Sequence, residues 1–174
     1  MSDNYILFLI NNDRQECLSY QLTMDELKIT QRHLPHWELS GSTYFVTFRL
    51  KDGVMNKEEQ IIVLEHIKDG NGKFYTLIAV VVMPDHVHLL FIPKEGYTLS
   101  RIMKGIKGVS SHKINLKRKI SGTIWQDESF DRIMRNEDEL KEKINYMLYN
   151  PLKKGLTDNP ENYYGWYYNE KFEW

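Results

Sequence analysis

The chain is expected to fold as one α+β domain of ferredoxin-like type: an antiparallel sheet with helices packed on one face and the other face open for a ligand. Three observations predict this. Strand-like and helix-like stretches follow one another in the order strand, helix, strand, strand, helix, strand, helix. Two of the strands are separated only by Pro84-Asp85, so they pair as an antiparallel hairpin. The 174 residues, 41% hydrophobic and 27% charged, are enough to bury a core without staples.

Each element has its own signal. Tyr5 to Ile10 reads as a short strand, and Met24 to Arg32 as a helix capped by Thr23, both in an N-terminal arm over 1–40. Ser42 to Leu50 alternates Tyr44, Val46 and Phe48 with Phe45, Thr47 and Arg49, the period of a strand. Asn56 and Glu59 form a capping pair for a helix to Asp69, with Ile61, Ile62, Leu64 and Ile67 inward, and Gly70-Asn71-Gly72 ends it. Phe74 to Met83 and His86 to Ile92 make the hairpin, and Pro93 stops it. Thr98 caps a helix over Leu99 to Lys119 whose stripe is Leu99, Ile102, Met103, Ile106, Val109 and Ile114. Gly105 and Gly108 each weaken that helix by about 1 kcal/mol relative to Ala, which suggests close approach by another backbone, another helix or a phosphate chain. After an extended link at Thr123 to Gln126, Phe130 to Met134 is a strand, and Asn136 with Glu139 caps a helix to Tyr149 that Asn150-Pro151 ends. The main domain thus spans 41–157. The tail over 158–174, rich in Tyr and Trp, packs on the domain or stacks on bases.

Composition excludes several classes. A single cysteine, Cys17, rules out an internal disulfide and a cysteine zinc cage. No apolar run reaches transmembrane length and no signal peptide is seen, so a cytoplasmic protein without a membrane is expected. The net charge of −1 is not that of a wholly basic nucleic-acid protein. Yet Arg101, Lys104, Lys107, Lys113, Lys117, Arg118 and Lys119 follow one another with no acidic residue between them, a candidate phosphate surface or simply a solvated helix face.

The chemistry gathers at His86-Val87-His88. Residues two apart on a strand share a face, so the two imidazoles project together, about 6 to 7 Å apart along the strand. Such a pair holds a metal ion or an anion, or is merely polar surface. Tyr146 and Asn150 form a second constellation, one helical turn apart. A tyrosine hydroxyl attacks poorly at its free pKa of about 10 unless a metal polarises the phosphodiester beside it. The alternative is that Tyr146 packs in the core and Asn150 caps the helix. His33 and His36 lie in a polar connector, suited to phosphate contact or to solvent.

In combination these stretches resemble a known family. Val82-Met-Pro-Asp-His86-Val-His88 looks like the HUH motif of single-tyrosine transposases, and Tyr146-Met-Leu-Tyr-Asn150-Pro-Leu-Lys-Lys-Gly155-Leu looks like their tyrosine helix. Gly122-Thr-Ile-Trp125-Gln126 resembles the segment between them, and His33-Leu-Pro-His36-Trp37 with Tyr44 to Arg49 resembles the entry to the first strand. The likeness spans roughly 33–157 and points to REP-associated tyrosine transposases, relatives of insertion-sequence transposases that cut single-stranded DNA at small hairpins. It implies that His86, His88 and Asn150 bind Mg²⁺ or Mn²⁺, with zinc also suited to imidazole. It implies that Tyr146 attacks a phosphate to form a 5′-phosphotyrosine, with Tyr149 the competing nucleophile. Arg101, Lys104, Lys107, Lys113, His33 and Arg49 would hold DNA, and the protein would be a monomer or a homodimer. Two other functions are open to the same sequence: a non-catalytic hairpin-binding protein, and a hydrolase acting through metal-bound water.

Overall fold

The computed structural model describes residues 41–172 in full and, before them, the backbone of β1 (Leu27–Gln31) and β2 (Pro35–Leu39). These two strands pair antiparallel in a sheet of their own. The helix expected over 24–32 is therefore corrected to a strand over its described part. Leu27 and Ile29 alternate with polar residues, Ile29-Thr30 is β-branched, and 35–39 supplies partners across the ladder. Tyr5–Ile10, the first residues of the expected helix and residues 32–34 with His33 lie outside the described residues, whereas His36, expected in a connector, stands in β2 opposite Thr30.

The main sheet has five strands in the order β6-β3-β5-β4-β7, all antiparallel. They are β3 (Tyr44–Arg49), β4 (Tyr75–Val82), β5 (His86–Pro93), β6 (Phe130–Ile133) and β7 (Trp166–Tyr168). The α+β class is as expected. α1 (Lys57–Gly70) and α2 (Leu99–Arg118) share one face of the sheet, over Tyr44, Val46, Phe48, Val87, Leu89 and Phe91. α3 (Glu137–Lys153) lies on the opposite face, where Leu140 and Met147 pack with Phe45, Val81 and Leu90. The face expected to stay open is thus roofed by the helix that carries the tyrosine.

Local signals explain most boundaries. The Asn56–Glu59 capping box is present in both directions, and Thr98 accepts from the Arg101 N–H. α1 turns Val63, Leu64 and Ile67 inward, with Ile61 and Ile62 only half-buried. In α2, Val109 is exposed and Ser110 takes the inner position, where its hydroxyl accepts from Trp125 Nε1 at 2.9 Å. α3 runs one turn past the expected end because Pro151 is accommodated inside it, buried, with the Lys154 N–H returning to the Asn150 carbonyl. Asn150 is therefore an interior helix residue rather than a cap.

After α3, Tyr163 is buried and donates to Gln60 Oε1 at 2.7 Å. Gly165 then passes so close to β4 that a Cβ would stand 2.4 Å from the Val82 carbonyl oxygen, which only glycine permits. β7 follows and pairs with β4.

Candidate active site

The pleat of β5 turns His86, His88 and Leu90 towards α3, and Val87, Leu89 and Phe91 towards α1 and α2. The two histidine rings lie 4.7 Å apart between centroids and are 5% and 4% exposed. Each ring is held from behind. His86 Nδ1 is 2.6 Å from Asp85 Oδ1, and His88 Nδ1 is 2.7 Å from Thr47 Oγ1, the residue opposite it on β3. Phe45 stacks on His88 at 5.4 Å. Both Nε2 atoms are thereby left facing α3. His86 Nε2 meets the Asn150 amide at 3.4 Å, and His88 Nε2 is buried with no hydrogen-bond partner.

Burial pushes both imidazoles below the usual histidine range. For His86 the Asp85 carboxylate opposes the shift; for His88 the neighbouring His86 and Arg49 reinforce it, bringing it to about 3. Both rings are neutral at neutral pH, with ring lone pairs available to a ligand.

α3 supplies the facing groups. Asn150 is 5% exposed, and Tyr146, one turn earlier, is 42% exposed with its ring 5.2 Å from that of His88. Tyr149 is exposed too, but the ring contact with His88 is made by Tyr146. Cations surround the tyrosine: Lys143 and Lys153 place their ammonium groups 5.9 and 6.0 Å from its ring centroid. Arg49 stands 3.7 Å from Asp85 Oδ2.

Among the described residues there is no group of three or more His, Cys, Asp and Glu able to hold a metal. Two imidazoles and one amide form a smaller donor set. The orphaned His88 Nε2 is the observation that fits a cation here, since a buried polar atom without a partner costs about 1 to 3 kcal/mol. The Asn150 amide presents oxygen in place of nitrogen by a half-turn of its terminal group.

The structure brings His86, His88, Tyr146, Asn150 and Arg49 together. It does not bring the basic residues of α2 to them, because α2 lies across the sheet. Lys107 donates to the carbonyls of Gln126 and Asp127 at 3.0 Å and of Glu128 at 3.4 Å, clamping the link to β6. Arg101 covers the Tyr97 ring at 5.0 Å, Lys104 lines a cavity of about 780 Å³ between α2 and the link, and Lys113 is exposed. Asp85, Thr47, Lys143 and Lys153 also belong to the site, and sequence reasoning does not single them out. The lysines had a signal, since 143, 146, 150 and 153 follow helical spacing.

The sequence model of the family described as "Transposase IS200 like" matches residues 45–146, more than half of the chain. The chain belongs to that family of transposases. The match includes both histidines and ends on Tyr146. This IS200-like transposase is 26% identical over 125 residues to the REP-associated tyrosine transposase of Escherichia coli strain K12, across 67% of this chain and 70% of that one. It is 21% identical over 136 residues to a protein of Haemophilus influenzae described as a putative REP-associated tyrosine transposase, across 68% of this chain and 74% of that one. In three dimensions it is similar to a REP-associated tyrosine transposase solved bound to a REP hairpin, with a TM-score of 0.61 and 24% identity over 78% of this chain and 82% of that one, a likeness of fold.

Proposed function

We propose that this transposase cuts and rejoins single-stranded DNA beside small REP-like hairpins, in the cytoplasm, with Tyr146 as the nucleophile. The observation that carries the reading is the edge-to-face contact of Tyr146 with His88, whose buried Nε2 has no partner, with Asn150 one turn on at His86 Nε2. Relatives named tyrosine transposases, and a fold neighbour solved with a hairpin, support it.

In this reading His86 Nε2, His88 Nε2 and the Asn150 amide oxygen would hold Mg²⁺ or Mn²⁺. Such an ion supplies positive charge that polarises the scissile phosphate and offsets the charge developing on it. The remaining work falls to the chain. Asp85 and Thr47 hold the Nδ1 atoms, so each ring offers only Nε2. Tyr146, on the same α3 face as Asn150, presents its hydroxyl to the phosphorus. The Tyr Oη–P bond forms as the P–O3′ bond breaks. The phenol gives up its proton and the departing 3′-oxygen takes one up. The products are a 5′-phosphotyrosine and a free 3′-hydroxyl. One phosphodiester replaces another, so the step reverses when a 3′-hydroxyl attacks the phosphotyrosine.

The test is incubation of end-labelled hairpin DNA from the flanks of its own gene with the protein and Mn²⁺, followed by a denaturing protein gel. Label shifted to protein size, lost in Tyr146→Phe and kept in Tyr149→Phe, is expected. The reverse pattern would move the nucleophile to Tyr149. Tight binding without any covalent product would leave a non-catalytic hairpin binder.

A further inference from the structure

We propose that the strand being cut runs along the α3 face of the sheet, with Lys143 and Lys153 gripping the phosphates on either side of the one that Tyr146 attacks. The proposal rests on Tyr146 being the nucleophile. Lys143, Tyr146, Asn150 and Lys153 share one face of α3, at intervals of three, four and three residues. At 1.5 Å per residue, Lys143 lies about 4.5 Å before Tyr146 along the helix axis and Lys153 about 10.5 Å after it. Both ammonium groups nevertheless come within 5.9 and 6.0 Å of the tyrosine ring, so the two side chains lean inwards from opposite ends. The Lys143 ammonium also sits 5.9 Å over Phe45, on the sheet beneath.

Their charges are poorly compensated. Lys143 reaches Glu142 Oε1 only at 3.4 Å, and that carboxylate is 73% exposed and screened by solvent. Among the described residues no carboxylate pairs with Lys153. Asp85, the carboxylate nearest the histidines, is already engaged by His86 and Arg49. Other cations on the surface are paired, among them Lys141 with Glu137 at 2.7 Å, Lys117 with Glu58, and Arg118 with Glu59. A cluster of Arg49, Lys143 and Lys153 around two neutral imidazoles is a field waiting for an anion. A phosphodiester chain is the ligand that brings several evenly spaced negative charges at once. α2 lies beyond the sheet and does not reach these phosphates.

The test measures binding of a short, hairpin-free, labelled single strand as a function of salt, in a Tyr146→Phe background so that nothing is cut. For single strands the slope of log K against log salt is about −0.7 per neutralised phosphate. K143Q and K153Q should each make it shallower by about 0.7, while K141Q, which removes a charge from the paired part of the same helix, should leave it at the parent value. Unchanged slopes in K143Q and K153Q, or an equal change in K141Q, would overturn the proposal. A change in only one would overturn the two-sided grip. Whether Tyr146 is the nucleophile is read separately, from the covalent adduct formed by the protein with Tyr146 intact.

Discussion

Asp85 and Thr47 engage the Nδ1 atoms of His86 and His88, which in the proposed reading leaves each Nε2 for the ion. Partners of this kind typically change metal affinity 10- to 100-fold when removed. Asp85→Ala and Thr47→Val are each expected to weaken Mn²⁺ binding by about that factor, read directly by titration calorimetry with no DNA present. Affinity equal to that of the parent would mean that the rings are held by packing alone, chiefly the Phe45 stack on His88. At this scale the sequence was legible wherever geometry is local. A period of two sets His86 beside His88, and a period of four sets Tyr146 beside Asn150. Thr47 was not legible, because it reaches His88 only through the β3–β5 register, across 41 residues. Asp85 stood next to His86 in sequence, but its use depends on a side-chain rotamer that no period predicts.

Among the elements, caps and alternation identified three helices and four strands of the main domain, because each signal lies within a few residues of what it controls. Misreadings arose where a distant partner decides. Residues 27–31 pair with 35–39 rather than coiling, and α3 absorbs Pro151 because that ring is buried. Among the described residues a Cβ placed on Gly105 or Gly108 would meet no atom within 4 Å, so the approach there leaves room for a side chain, and what reaches Gly105 is the His66 ring of α1, hydrogen-bonded to its backbone. The α1–α2 pairing is fastened by Glu59, whose carboxylate accepts from Arg118 at 2.7 and 2.8 Å and from the Asn56 N–H at 2.9 Å. The Arg118 hydrogen bond is the main reason its pKa falls below the usual glutamate value, against the opposing cost of burial. A depressed carboxylate pKa adds stability that is fully present above the unfolded-state value and lost as pH falls through the folded one. Glu59→Gln should therefore cost about 2 kcal/mol at pH 7, with the gap to the parent closing in the acid range below the ordinary glutamate pKa. Urea unfolding of both proteins at neutral and acidic pH measures this. A gap that is the same at both would show that packing, not charge, is what the carboxylate contributes.

For the whole molecule, the arrangement that matters is the division of labour between the two faces of the sheet. One face carries α1, α2 and most of the core, and the other carries the histidines under α3. The chain reaches that second face twice after β5, first through α3 and then through the segment that buries Tyr163 and adds β7 to the β4 edge. No helix among the described residues is long and apolar enough to cross a membrane. Because α3 packs on its own chain's sheet through Leu140 and Met147, Tyr146 meets the His88 of the same polypeptide. In the single chain the two histidines and the tyrosine come from one polypeptide, and this gives a prediction that separates the two possible designs. A Tyr146→Phe protein keeps its histidines, and a His88→Ala protein keeps its tyrosine. If each tyrosine serves its own histidines, a mixture of the two variants forms no covalent DNA adduct, just as neither does alone. If α3 instead exchanges between copies, a mixed dimer contains one complete site, and label appears on the His88→Ala polypeptide. Tagging the two variants to different sizes makes the denaturing gel decide, and adduct on the His88→Ala band would show that the α3 seat seen here is replaced by a partner's during reaction.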